Sequence, residues 1–222
     1  VSLNYRPGWR SGSNCSGDST SLNDAIYRAL QDANAALRFL ISKANEYTID
    51  TSNLFIGGQS AGGNLALNVV YFTEAIAQTR YASQWSRLGN INNAGNSYTA
   101  TFRIKAICNM WGGLMDSAWI KPVNAIPFIS FHGTADNTVN YEYGPFSGCS
   151  NYPMIYATMP LYRQTINFGK PSIAHLSING GHAPAEFSGS FLMSNTACFF
   201  KKIIQNRTLA NGIYTGTTGS CQ

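Results

Sequence analysis

Phe55-Ile56-Gly57-Gly58-Gln59-Ser60-Ala61-Gly62-Gly63-Asn64 is the stretch on which the reading of this sequence turns. An apolar β-type run, Asn53-Leu54-Phe55-Ile56, enters it, and a helix-compatible run, Asn64 to Tyr71, leaves it. Between them Gly58-Gln59-Ser60-Ala61-Gly62 fits G-x-S-x-G, the strand–turn–helix that holds a serine on a tight, strained turn. Gly58 and Gly62 are expected to let strand and helix backbones pass where a Cβ would collide. The turn aims the Ser60 hydroxyl outward at the carboxyl end of the strand. The Ala61 N–H, at the start of the helix, then points to where an oxyanion would develop. The plainer reading of the same letters is a Gly-rich β–α turn with a capping serine. The flanking strand and helix favour the first reading.

With 222 residues the chain is long enough to bury a real core and is read as one domain over 1–222, with 206–222 as a tail. Hydrophobic residues at 44% and aromatics at 13% exclude disorder, and no apolar run approaches a membrane span. Charged residues are only 11%, against a usual ~25%. Asn, Ser, Thr and Gly take their place, which suits a secreted or periplasmic protein. The net charge of +5 is scattered, with Lys201-Lys202 the only adjacent basic pair, so nucleic acid is not an expected partner.

None of the five cysteines has C-x-x-C spacing or a nearby histidine, so no metal site is expected. Cys108, in an apolar strand-like run, reads as a buried free thiol. The other four suit two bridges outside the cytosol. The favoured pairing is Cys198 with Cys221 and Cys15 with Cys149, although spacing alone does not decide it.

Taken in order, Val1–Tyr5 alternates like a strand and 6–20 is a loop. Residues 23–46 carry the longest helical pattern, with Ile26, Ala29, Leu30, Ala33, Ala36, Leu37, Leu40 and Ile41 on one face and Arg38 off it. The helix after Ser60 is expected to run to about Gln78, followed by a long polar loop over 81–101. Strands are predicted at 102–109, 127–132 and 172–178, and helices at 154–168 and 187–205. Pro160 must lie at an end or a kink of the first of these helices. Strands alternating with helices imply a mostly parallel sheet covered on both faces.

In such a sheet reactive groups gather at the carboxyl ends of the strands. Ser60, Asp136 and His182 each follow a predicted strand by a few residues. A serine needs a base within hydrogen-bond reach, and a histidine base needs an acid on its other nitrogen. His132, beside the acid turn, reads as a hydrogen bonder to that turn, and His175, inside a strand, as structural. Asp116 and Glu142 compete with Asp136 for the acid. Asp116 falls one strand too early for the usual arrangement, and Glu142 follows in the same loop. Gln59 and Trp111 are the candidate substrate contacts, and Trp9, Trp85, Tyr141 and Tyr143 also sit in loops. The alternative for all these rings is packing.

Tyr5-Arg6, the helix with Ala25-Ile26-Tyr27-Arg28-Ala29 and Ala35-Ala36-Leu37-Arg38-Phe39-Leu40, and Gly58-Gln59-Ser60-Ala61-Gly62-Gly63 resemble the α/β-hydrolase carboxylesterases. So do Phe131-His132-Gly133-Thr134-Ala135-Asp136 and Gly181-His182. The nearest branches are the esterase/lipase and secreted bacterial carboxylesterases, with feruloyl and polyester esterases as cousins. The resemblance implies nucleophile Ser60, acid Asp136, base His182 and an oxyanion donor at Ala61, acting on carboxylic esters without a cofactor. It also implies a His-Gly-Gly type loop and a further strand that the 222 residues do not contain. The fold is therefore expected to lack its first strands, with a missing N-terminal segment completing sheet and oxyanion hole. A catalytically silent binding protein and a serine peptidase are the rival readings on the same fold.

Overall fold

A computed structural model describes residues 1–220. The helices are α1 (Ser19–Ser42), α2 (Ala44–Tyr47), α3 (Ala61–Tyr71), α4 (Glu74–Arg80), α5 (Ala82–Leu88), α6 (Thr158–Asn167) and α7 (Gly189–Ile204). The strands are β1 (Leu54–Gln59), β2 (Ile104–Met110), β3 (Phe128–Gly133), β4 (Tyr143–Pro145), β5 (Met154–Tyr156), β6 (Ser172–Ser177) and β7 (Gly212–Thr215). The chain forms two compact units. One comprises Val1–Leu54 and Asn68–Arg103, the other Phe55–Leu67 and the chain from Ile104 onward.

In the first unit α1 begins earlier than its apolar pattern suggested, because Asp18 caps it by accepting from the Thr20 N–H. Ala29, Leu30 and Ala33 are buried as expected, but Ile26, Leu37, Leu40 and Ile41 are only half-buried. Arg38, which the periodicity had placed off the core face, is buried with Gln31 and Asn34. The reason is hydrogen bonding. The irregular chain near 88–94 leaves carbonyls without helix or sheet partners, and buried carbonyls need donors. Gln31 Nε2 donates to Leu88 O at 2.7 Å, Asn34 Nδ2 to Ile91 O at 3.2 Å, and Arg38 Nη2 to Ala94 O at 2.6 Å.

Three other expectations fail in this unit. Residues 1–5 form no strand; Arg6 instead ties the segment to Asp32. The helix after Ser60 stops at Tyr71, and Thr73 caps a new one by accepting from the Ile76 N–H. The stretch over 81–101, read as loop, contains α5.

The second unit holds a five-stranded sheet in the order β1-β2-β3-β6-β7, in which β2/β3, β3/β6 and β6/β7 are parallel. The expected tail thus supplies a strand. The residues read as one helix over 154–168 divide into β5, which pairs antiparallel with β4, and α6. Pro160 sits in the first turn of α6, where no intrahelical donor is required of it.

Successive strand residues face opposite sides, and the two sides differ in chemistry. Ala106, Cys108, Ile129, Phe131 and Ile173 pack with Leu192 and Phe199 of α7 in an apolar cluster. Asn109, Ser130 and His132 point the other way, toward Thr158 of α6. Asn109 and Ser130 are direct partners in the parallel register. Cys108 is a free thiol pushed up to about 11 by burial, while Cys15, Cys149 and Cys198 are disulfide-bonded. Cys221, the expected partner of Cys198, lies outside the described residues. No helix among the described residues is long and apolar enough to cross a membrane.

His175 is fully buried on β6, stacked on Phe131 and Tyr214, and burial pushes its pKa down to about 4. The folded value lies below the unfolded one of ~6.5, so only the unfolded chain takes up this proton between the two. Stability from this group is therefore complete above about pH 6.5 and falls as pH drops toward 4, by about 3 kcal/mol in all. His175→Phe keeps the stack without the titration. The fall in melting temperature between about pH 7 and pH 4.5 is expected to be smaller in this variant; an unchanged fall would remove His175 as its cause.

Candidate active site

Ser60 follows β1 directly and adopts a left-handed backbone with φ 52°. Its N–H donates to Met110 O at 2.8 Å, and its carbonyl accepts from the Asn64 N–H at 2.9 Å. These two bonds hold a conformation that a non-glycine residue adopts only under constraint. Gly58 is needed for the turn, because a Cβ there would lie 2.4 Å from the Gly62 carbonyl carbon. The expectation for Gly62 itself is corrected, since a Cβ on it would meet nothing within 4 Å. Gly63 is the second tight residue: its Cβ would lie 2.6 Å from Asn109 Oδ1 and 3.2 Å from Gly112 Cα.

The two glycines of the motif should therefore respond differently. Gly58→Ala is expected to lower stability by about 2–3 kcal/mol, because the clash is with backbone. Gly62→Ala is expected to be neutral or slightly stabilising, as alanine favours a helix. Thermal unfolding of the two variants checks this, and equal effects would refute the assignment of the tight contact to Gly58.

Asp136 lies on the turn after β3. Its Oδ1 accepts from the Thr138 N–H at 2.8 Å and the Val139 N–H at 2.9 Å. Oδ2 lies 2.8 Å from His182 Nδ1 and 3.2 Å from His132 Nε2. Burial pushes the carboxyl pKa up, but the His132, His182, Val139 and Thr138 donors together outweigh it and hold it well below the usual range.

His182 follows β6 on a Gly-rich turn that is laced to the acid turn. Thr134 N–H donates to Ser177 O, Ala135 N–H to Gly180 O, and Asn179 N–H to Thr134 Oγ1 at 2.8 Å. Gly133 permits this approach, since its Cβ would sit 2.2 Å from Gly180 O and 2.3 Å from Gly181 O. The lacing delivers His182 Nε2 to 2.8 Å from Ser60 Oγ. The Asp136 side chain has no solvent exposure, whereas that of His182 retains 26%. A hydroxyl, an imidazole and a carboxylate in this order can pass the serine proton to the ring and steady the resulting charge.

Ala61 opens α3, so its N–H is among those with no acceptor inside the helix. Gln59 is exposed beside Ser60. Trp111 is 4% exposed and lies in the apolar cluster, its own backbone left-handed at φ 46° and its N–H bonded to Phe131 O. Glu142 is paired with Arg163 and Asp116 caps a short turn at 117–119, whereas the carboxylate at His182 Nδ1 is that of Asp136.

Sequence reasoning passed over Asn64, Asn109, Ser130 and Thr158. Asn64 Oδ1 accepts from the Gly113 N–H at 2.6 Å, and Asn109 brackets the Gly112 peptide. For Asn109 and Ser130 the visible signal was a polar residue among apolar ones in a strand, while Asn64 and Thr158, both in helices, carried none. Among the described residues no group of three His, Cys, Asp or Glu is placed to hold a metal ion.

Sheet order and the serine turn are those of an α/β-hydrolase, and that is the fold of this chain. Residues 19–122, just under half of the chain, match the family model described as BD-FAE. No curated protein matches the sequence. Among solved structures, a truncated form of a carbohydrate esterase from gut microbiota is 20% identical with a TM-score of 0.55, over 80% of this chain and 69% of that one. Thermogutta terrifontis esterase 2 phosphorylated by paraoxon is 19% identical with a TM-score of 0.54, over 81% and 64%. An acetyl ester-xyloside bifunctional hydrolase from Caldicellulosiruptor lactoaceticus is 15% identical with a TM-score of 0.54, over 81% and 66%. The chain thus spans about two thirds of the length of these three.

Proposed function

We propose that this protein hydrolyses carboxylic esters through an acyl-enzyme on Ser60. The observation that carries the reading is the continuous run Ser60 Oγ–His182 Nε2–His182 Nδ1–Asp136 Oδ2, with 2.8 Å at both junctions. Its likeness in fold to solved esterases supports the same class of reaction.

Ser60 Oγ attacks the ester carbonyl as its proton passes to His182 Nε2. Asp136 keeps the other ring nitrogen protonated and stabilises the imidazolium. The tetrahedral oxyanion is held by the Ala61 N–H at the start of α3. Collapse expels the alcohol, which takes the proton from His182. Water, deprotonated by His182, then attacks the acyl-enzyme and releases the acid and Ser60. No cofactor enters any step. Gln59, exposed beside Ser60, contacts the substrate near the reacting carbonyl. The disulfide-bonded cysteines fit a site of action outside the cytosol.

A panel of p-nitrophenyl acetate and butyrate, methyl ferulate, an acetylated sugar, an aromatic polyester film and a peptide amide tests the reading. Cleavage of at least one ester, with a burst of alcohol matching the enzyme concentration, is expected. Cleavage confined to the amide would move the protein to the peptidases. Absence of ester turnover, together with no labelling of Ser60 by a fluorophosphonate, would leave only a binding role.

A further inference from the structure

A chain of buried side chains runs from the sheet to the acid turn. Asn109 Nδ2 lies 3.1 Å from Ser130 Oγ, which lies 2.6 Å from Thr158 Oγ1, which lies 2.8 Å from His132 Nδ1. His132 Nε2 lies 2.8 Å from Val139 O and 3.2 Å from Asp136 Oδ2. Asn109, Ser130, His132 and Thr158 are all fully buried.

The direction of every proton in this chain can be deduced. The Gly112 N–H donates to Asn109 Oδ1 and the Gly112 carbonyl accepts from Asn109 Nδ2, so the amide cannot be turned over. Asn109 therefore presents a donor to Ser130, which passes its own proton to Thr158, which donates to His132 Nδ1. At the other end both neighbours of Nε2 are acceptors, a carbonyl and a carboxylate, so Nε2 carries the ring proton. An imidazolium would donate from Nδ1 as well and strand the Thr158 hydroxyl proton in a buried site, which is costly.

We propose that His132, held as its Nε2–H tautomer by the Asn109–Ser130–Thr158 chain, is a positioning residue for the acid turn. This rests on the ester-hydrolase reading of Ser60, Asp136 and His182. One N–H edge faces two groups that matter to that reading. It bonds the carbonyl of Val139, whose own N–H holds Asp136 Oδ1, and it stands beside Oδ2, the oxygen that His182 uses. The carboxylate is thereby kept in one orientation, and part of its charge is offset by a neutral donor. His182 then meets an acid strong enough to orient it without holding its proton too tightly.

The test compares His132→Asn with His132→Gln. The glutamine amide nitrogen reaches roughly where Nε2 lies, whereas the asparagine amide ends near Nδ1 and leaves Val139 and Asp136 without the donor. His132→Asn is expected to lower kcat about 10- to 100-fold with KM little changed, as for loss of a bond to a charged group. The acid limb of its kcat/KM–pH profile is expected to move to higher pH, because a carboxylate relieved of a donor retains the His182 proton longer. His132→Gln is expected to recover most of kcat and the original limb. In the unmodified protein, imidazole nitrogen NMR is expected to find His132 protonated at Nε2 alone, a readout that does not depend on turnover or on a variant folding. Protonation at Nδ1, or equal kinetics for wild type and both variants, would overturn the proposal while leaving the ester-hydrolase reading intact. An inactive wild type whose His132 carries the expected tautomer would instead overturn that reading alone.

Discussion

Ser60→Ala is expected to abolish ester turnover, lowering kcat by about 10⁴- to 10⁶-fold, while the fold and its melting temperature stay close to wild type. The loss is large because no neighbouring group can take over bond formation to the acyl carbon. The residual rate comes from the Ala61 N–H and from binding, neither of which needs the hydroxyl. Stability should change little, since the Ser60 hydroxyl is the partner of a partly exposed His182 and the turn is held by backbone bonds to Met110 and Asn64. Relief of a left-handed serine cannot come from alanine, which is equally strained there. Steady-state kinetics on a p-nitrophenyl ester and loss of fluorophosphonate labelling check this. Turnover within tenfold of wild type would mean that Ser60 is not the nucleophile.

Asp136→Asn carries the second large effect, about 10⁴-fold in kcat with KM nearly unchanged. Its cause is a tautomer. The Thr138 and Val139 N–H groups need an acceptor at the Oδ1 position, so the new amide must turn its NH₂ toward His182. That NH₂ donates to His182 Nδ1, which forces the ring proton onto Nε2, facing the Ser60 hydroxyl. Two donors then meet where one acceptor is required, and the serine proton has nowhere to go. The same NH₂ opposes the His132 N–H at 3.2 Å, so a fall in stability accompanies the fall in rate. A variant that kept wild-type kcat would exclude Asp136 as the acid and reopen the case for Glu142, which is bound to Arg163 in this structure.

Much of the candidate site was legible because it is local. G-x-S-x-G between an apolar run and a helix-compatible run defines its own turn, and Asp136 and His182 each close a β-strand with a short polar turn. These arguments need only a few adjacent residues. Errors arose wherever a pattern had two possible meanings. The helical stripe of residues 23–46 is apolar on one face, yet α1 buries Gln31, Asn34 and Arg38 because carbonyls from chain more than fifty residues away require donors. The run from Met154 has helical spacing, yet its first three residues pair with 143–145.

By itself the sequence determined the order of strands and helices around Ser60, the three residue types of the proposed triad and the turns that carry them. All of these are properties of neighbours in the chain. Only the tertiary structure decided that Gly63 rather than Gly62 is the tight glycine, that Trp111 is buried, and that Asn109, Ser130 and Thr158 form one chain with His132 beside Asp136. Those outcomes depend on how closely separate strands, turns and helices approach and on where each shared proton points, and distances between remote segments are not encoded in the spacing of either one.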